Sequence, residues 1–170
     1  MHEMPGWLKN ATVWLVLAAA LFLGVQAWMN HERAMRFTVE GGTLELRRSA
    51  DGHYHWPGSV AGRQVDFLVD TGATGTAIPA AMARELGLAV VGPVQSQTAG
   101  GVAYGSMVLA DVQLQGGVSA ERLRVAALPH LDAPLLGMDV LGKLRWRQDQ
   151  GVMRVEMQVE MRVEMASPAQ

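Results

Sequence analysis

The sequence predicts a mostly-β domain with one or two short helices, preceded by an apolar helix. Three features carry that expectation. Short runs of β-branched and large apolar residues recur across residues 37–152, separated by glycine-rich turns. Residues 11–29 hold no charged side chain, close to the roughly 20 apolar residues a spanning helix needs. Across residues 153–165 apolar and polar residues alternate strictly, the period of a strand rather than a helix.

The apolar helix fits the composition. With 49% hydrophobic and 18% charged residues, the chain is apolar for a soluble domain, which points to a membrane segment. Trp7 and Trp28 flank the run as interfacial aromatics do, and Trp14 sits inside it. A cleaved signal peptide is the competing reading, with Val25-Gln26-Ala27 as a small-residue cleavage site. Length and flanking tryptophans favour an uncleaved, single-pass anchor over residues 11–29. Lys9 precedes the run and Arg33 and Arg36 follow it, so the positive charges do not favour an exported body and sidedness stays open.

A length of 170 residues suggests one domain of ordinary size with appendages. The expected divisions are 1–30 (tail and anchor), 31–50 (linker and first strands), 51–152 (the domain) and 153–170 (a low-complexity amphipathic tail). A net charge of -2 and a pI near 6.2 give no basic patch, so nucleic acid is not an expected partner. The chain has no cysteine, which excludes disulfides, thiolate catalysis and cysteine-based metal sites.

In chain order, residues 37–40 and 43–47 flank Gly41-Gly42 as a hairpin or bulged strand. Ser49-Ala50-Asp51-Gly52 is a turn cluster, followed by His53-Tyr54-His55-Trp56 as a short strand. Ser59-Val60, the turn Ala61-Gly62-Arg63 and residues 64–69 form the next hairpin. Residues 79–87 have the composition of a helix stopped by Gly87. Residues 94–98 and 102–109 flank Ala99-Gly100-Gly101, a glycine-tipped hairpin. Strands are expected at 112–114, 123–128 and around Val152.

The chemistry centres on Phe67-Leu68-Val69-Asp70-Thr71-Gly72-Ala73-Thr74. A strand buried on both faces ends here in a carboxylate, which is costly to bury unless something pairs with it. Gly72 removes the side chain where backbone N–H groups could approach that carboxylate, and the Thr71 hydroxyl can both donate and accept. Taken alone, Asp-Thr-Gly reads as a strand ending in a turn; its context changes that. His53 and His55 share a strand face, but with no third ligand nearby they read as exposed strand histidines, and no metal or cofactor is expected. Gly72-Ala73-Thr74-Gly75 is not followed by Gly-Lys-Ser/Thr, so it is not a phosphate loop.

Residues 67–74, followed much later by Leu135-Leu136-Gly137-Met138-Asp139, resemble the two halves of a retropepsin-like aspartic protease (clan AA), and most closely its bacterial membrane-anchored branch. The resemblance extends over about residues 51–153, and Gln97-Thr98-Ala99-Gly100-Gly101 resembles the flap hairpin. It implies a closed β-barrel of the acid-protease fold and peptide-bond hydrolysis. Asp70 would be the catalytic carboxylate, Thr71 would hydrogen-bond across to a partner copy, and Gly72 would allow that approach. Ala73, Thr98, Ala99, Gly100 and Gly101 would contact substrate. The branch implies the bacterial inner membrane, with the catalytic body periplasmic. Retroviral members carry an Asp two residues past the motif glycine, paired with an Arg directly after the later glycine. Here those places hold Thr74 and Met138, so no buried charge is stranded but the dimer must be braced differently.

Carboxylate-driven hydrolysis needs two carboxylates sharing one proton. This chain has one Asp-Thr-Gly, and Asp139 is expected instead at the start of a helix. The expectation is therefore a homodimer with Asp70 of each copy on the two-fold axis, acting on a peptide or protein substrate. The alternative is a catalytically silent relative serving as a membrane-tethered dimerisation or peptide-binding module.

Overall fold

The computed structural model describes residues 13–26, 37–40, 42–98, 101–157 and 161–162. It divides into two compact units, Met1–Arg36 and Phe37–Gln170. In the first, residues 13–26 form helix α1, with exposed side chains that include Trp14, Leu17, Leu21 and Phe22. The described part of this helix is shorter than the expected spanning helix. Residues 13–26 rise about 21 Å at roughly 1.5 Å per residue, against a hydrocarbon core of about 30 Å. Among the described residues no helix is long and apolar enough to cross a membrane; residues 11–12 and 27–29 of the expected span lie outside them.

The second unit begins with a four-stranded antiparallel sheet of β1 (Phe37–Glu40), β2 (Thr43–Arg47), β10 (Arg145–Asp149) and β11 (Val152–Glu156), in the order β1-β2-β11-β10. Period-2 alternation sets its faces. Leu44 and Leu46 of β2 pair in register with Val155 and Met153 of β11, and all four are buried. On the opposite face the Arg154 Nε donates to Glu45 Oε1 at 2.6 Å, between directly opposed residues. The alternating tail thus supplies a central strand with a neighbour on each side. Its regular pairing stops at Glu156, short of the long strand expected over 153–165. Met161–Arg162 forms β12, and residues 158–160 and 163–170 lie outside the described residues.

The remaining strands are β3 (His55–Val60), β4 (Arg63–Val69), β5 (Ala77–Pro79), β6 (Val90–Thr98), β7 (Gly101–Leu114), β8 (Val118–Leu128) and β9 (Leu135–Leu136). The order β8-β5-β9-β4-β3-β7, with β7 pairing back onto β8, closes a six-stranded barrel, leaving β6 outside it on β7 and β12 on β8. Trp56 and Phe67 oppose each other in β3 and β4 and are both fully buried. The Trp56 Nε1 donates to the Gln115 carbonyl at 2.8 Å, so the indole polar group is satisfied inside. The β3–β4 turn uses Ala61 and Gly62 at φ 47 and 82, the left-handed pair that a two-residue hairpin demands.

Several element expectations change: β3 begins at His55 rather than His53, β6 at Val90 rather than Val94 and β8 at Val118 rather than Leu123. Trp56 and Ser59 belong to one strand, because Pro57 and Gly58 pair with β4 without a break and β7 joins only from Gly58 onward, past the proline that lacks a donor. Residues 112–114 continue β7 rather than forming a separate strand. A register shift at Asp111 bends β7, where the Asp111 carboxylate accepts the Arg122 N–H at 2.8 Å. The strand at Phe67-Leu68-Val69 is buried at Phe67 and Val69 but only half-buried at Leu68. Two short helices complete the unit, α2 (Ala80–Glu85) and α3 (Met138–Leu141).

Candidate active site

Asp70 stands where β4 leaves the barrel. The Val69 N–H donates to the Tyr54 carbonyl at 2.9 Å and the Asp70 N–H to the Leu136 carbonyl at 3.0 Å, so the backbone is held from both flanks up to the carboxylate. The chain then turns, with the Ala73 N–H on the Asp70 carbonyl at 3.2 Å. The Gly72 N–H donates to Asp70 Oδ1 at 2.9 Å, orienting one carboxylate oxygen. A Cβ at position 72 would lie 3.2 Å from that oxygen. Asp70 is half-buried while Thr71 and Gly72 are exposed. The Thr71 hydroxyl makes no hydrogen bond among the described residues.

A second segment braces this loop from below. Gly137 meets Gly75 so closely that a Cβ there would lie 2.4 Å from the Gly75 carbonyl carbon. Only glycine permits that backbone-to-backbone approach. The Met138 N–H donates to the Ala73 carbonyl at 2.8 Å and the Asp139 N–H to the Thr74 carbonyl at 3.1 Å. The two segments are thus tied through backbone, Met138 to Ala73 and Asp139 to Thr74.

Asp139 lies in the first turn of α3 as the sequence suggests, accepting the Val140 N–H at 3.0 Å. It also does something a helix cap does not. Its Oδ2 accepts the Thr76 N–H at 3.0 Å and its Oδ1 accepts the Thr76 hydroxyl at 2.8 Å. The same hydroxyl oxygen accepts the Gly137 N–H at 3.3 Å. Thr76 is 1% exposed, so these bonds form away from water. The pair Thr76–Asp139 clasps the far end of the Asp70 loop.

Above the loop lies a cleft of about 760 Å³, walled by the Asp70 loop, β6, the outer face of β8 and the segment from Leu128 to Leu135. Ala73 and Thr98, two of the expected substrate contacts, line it. Gly101 opens β7 and does not line the cleft; its carbonyl accepts the Thr98 hydroxyl at 2.7 Å across the hairpin tip. Ala99 and Gly100 lie outside the described residues. Among the described residues, Asp70 is the single carboxylate lining the cleft, and Arg124 and His130 are its other ionisable side chains. Sequence reasoning missed both. Arg124 could be placed on the face shared with Ala126 and Leu128 by period 2, but nothing local says which face meets a cleft.

The paired histidines have a different role. The His53 N–H donates to Asp51 Oδ1 at 3.0 Å, while His55 Nε2 lies 2.7 Å from Asp51 Oδ2 and its Nδ1 3.4 Å from Asp66 Oδ2. The His53 backbone bond, then the His55 side chain, holds the Asp51 carboxyl below the usual carboxylate range. No group of three His, Asp or Glu side chains able to hold a metal is formed among the described residues.

Barrel, loop and overlying hairpin together define an acid-protease-type fold. The model of the gag-polyprotein putative aspartyl protease family matches residues 56–143, and the chain belongs to that family. It is similar to a retropepsin-like aspartic protease from Rickettsia conorii, with a TM-score of 0.53 and 25% identity over 69% of this chain and 93% of that one. It is 28% identical to an uncharacterized protein in the cobV 5' region of a Sinorhizobium species, over 86% of this chain and 72% of that protein. The simian foamy virus (mac) protease matches at a TM-score of 0.39 and 21% identity, over 52% of this chain and 91% of that one.

Proposed function

We propose that the chain is an aspartic endopeptidase whose working site is a dyad formed by Asp70 of two copies. The observation that carries this reading is a lone carboxylate, Asp70, oriented by the Gly72 N–H at 2.9 Å beneath a cleft large enough for a peptide. One copy supplies one such group, and general acid–base hydrolysis needs two. A C2 pairing supplies the second by symmetry. The exposed Thr71, whose hydroxyl has no partner among the described residues, is suited to bond across that axis. In the pair, the ionised carboxylate takes a proton from water as the water attacks the scissile carbonyl. The protonated one donates to the developing oxyanion, and a proton then passes to the leaving amine. Two carboxylates this close do not ionise together, so the dyad titrates as a unit. Residues Ala73 and Thr98, which line the cleft, would contact an extended substrate that pairs as a strand; Ala99 and Gly100, also expected contacts, lie outside the described residues.

The test compares wild type with Asp70→Asn on an unstructured protein substrate between about pH 4 and 7, a window that spans the upper titration of a carboxylate dyad, with self-association followed by sedimentation. Asp70-dependent cleavage that tracks the dimer fraction is expected. A dimer that binds peptide without cleaving it would replace the reading with a binding module. The exposed apolar surface of α1 supports a membrane tether within residues 11–29 at the bacterial inner membrane, with the catalytic body periplasmic as part of the same proposal. Release of the full chain from membranes by carbonate would refute the tether, and protection of the body from protease added outside the inner membrane would refute the sidedness.

A further inference from the structure

We infer that Arg124 makes this cleft selective for peptides carrying an acidic side chain; the inference rests on the aspartic-protease reading and names its substrate class. Along β8, Leu123, Val125 and Ala127 are buried in the core. The alternate residues Arg124, Ala126 and Leu128 line the cleft. The Ala126 N–H donates to the Thr76 carbonyl at 3.0 Å, which places Arg124 one pleat from the end of the Asp70 loop.

The guanidinium is exposed and forms no ion pair or hydrogen bond among the described residues. Among the described residues the only carboxylate lining the cleft, Asp70, takes its hydrogen bond from Gly72 and does not pair with it. Apart from Asp70 and His130 the rest of the described lining is uncharged, built from residues such as Thr74, Ser96, Gln97 and Met107. An unpaired fork of five donors in such a wall offers a bidentate partner to a carboxylate and repels an ammonium. Selectivity then has both an attractive and a repulsive element. In a C2 dimer each copy contributes its own Arg124. The preference therefore falls at two positions of the peptide, symmetrically placed about the scissile bond.

The experiment uses the full-length protein and neutral ten-residue peptides in which each position is replaced in turn by Glu, Gln or Lys. Cleavage by wild type is followed by mass spectrometry, and binding of the same peptides to Asp70→Asn by fluorescence anisotropy. At one position on each side of the cut, Glu is expected to exceed Gln by about threefold to tenfold in kcat/KM and in affinity, with Lys below both and the ratio shrinking at high salt. Arg124→Gln is expected to equalise Glu and Gln, and Arg124→Glu to favour Lys, with unchanged melting temperatures because the residue is exposed. Glu and Gln within about twofold in wild type at every position, or a wild-type ratio that survives in Arg124→Gln, overturns the inference. The two readings fail separately. Cleavage without charge preference leaves the protease and removes the Arg124 assignment. Charge-selective binding to both wild type and Asp70→Asn, with no cleavage, does the reverse. Neither cleavage nor binding overturns both.

Discussion

Replacing Thr76 by Val keeps the side-chain shape and removes one oxygen. That oxygen donates to Asp139 Oδ1 at 2.8 Å and accepts the Gly137 N–H at 3.3 Å. At 1% exposure no water can take its place. A hydrogen bond to a charged acceptor contributes about 1.5–3 kcal/mol, and stranding a buried N–H costs about 1 kcal/mol more, less than the full penalty because the bond at 3.3 Å is long. The Asp139 carboxylate keeps the Thr76 and Val140 N–H groups, so it is not left bare. The expected loss is about 2–4 kcal/mol, a large share of the roughly 5–15 kcal/mol that holds a domain folded. For a body of this size that lowers Tm by roughly 7–14 °C. Urea unfolding followed by tryptophan fluorescence gives the measurement, with Thr74→Val as control. Thr74 is exposed and only its backbone carbonyl is engaged, so that variant should stay within about 0.5 kcal/mol of wild type. If Thr76→Val unfolds at the same urea concentration as the control, the clasp does not hold the Asp70 loop and the argument from burial and geometry fails.

Gly137→Ala places a methyl group 2.4 Å from the Gly75 backbone, where no side chain can yield, and should cost at least about 3 kcal/mol or prevent folding, read from soluble yield and thermal melts. A chain ending at Met157 should keep the four-stranded sheet, whereas one ending at Gly151 loses β11 with the buried Met153 and Val155; circular dichroism and melting of the two truncations distinguish them. Asp51 should add a pH-dependent increment. Its carboxyl lies below the usual range in the folded state, so the stabilisation is present above the unfolded value and lost as pH falls through the folded one. Asp51→Asn should therefore melt below wild type at neutral pH and approach it in acid. Asp70→Asn should leave the melting temperature within a few degrees of wild type while abolishing cleavage, since the side chain is half-buried and among the described residues bonds only the Gly72 N–H.

Much of this protein was legible locally. Period-2 patterning marked the first residues of the alternating tail, because a strand with one buried face must alternate; the apolar run of β4 read as buried on both faces, and Leu68 is only half-buried. The Ala61-Gly62 turn was readable because left-handed backbone needs particular residues. Asp70-Thr71-Gly72 by itself read as a strand ending in a turn, and it was its resemblance, together with residues 135–139, to a retropepsin-like protease that singled it out. Period-2 patterning was silent on what each face would meet. It took closure of β7 onto β8 to put Arg124, Ala126 and Leu128 on a cleft wall instead of on open solvent, since alternation gives two faces but not their surroundings. It took the approach of Gly137 to Gly75 to bring Asp139 to Thr76, 63 residues away along the chain. The tail likewise reads as an amphipathic strand by itself. Only pairing with β2 on one side and β10 on the other made its first residues the centre of a sheet, because hydrogen-bond register between distant segments depends on where the whole chain brings them.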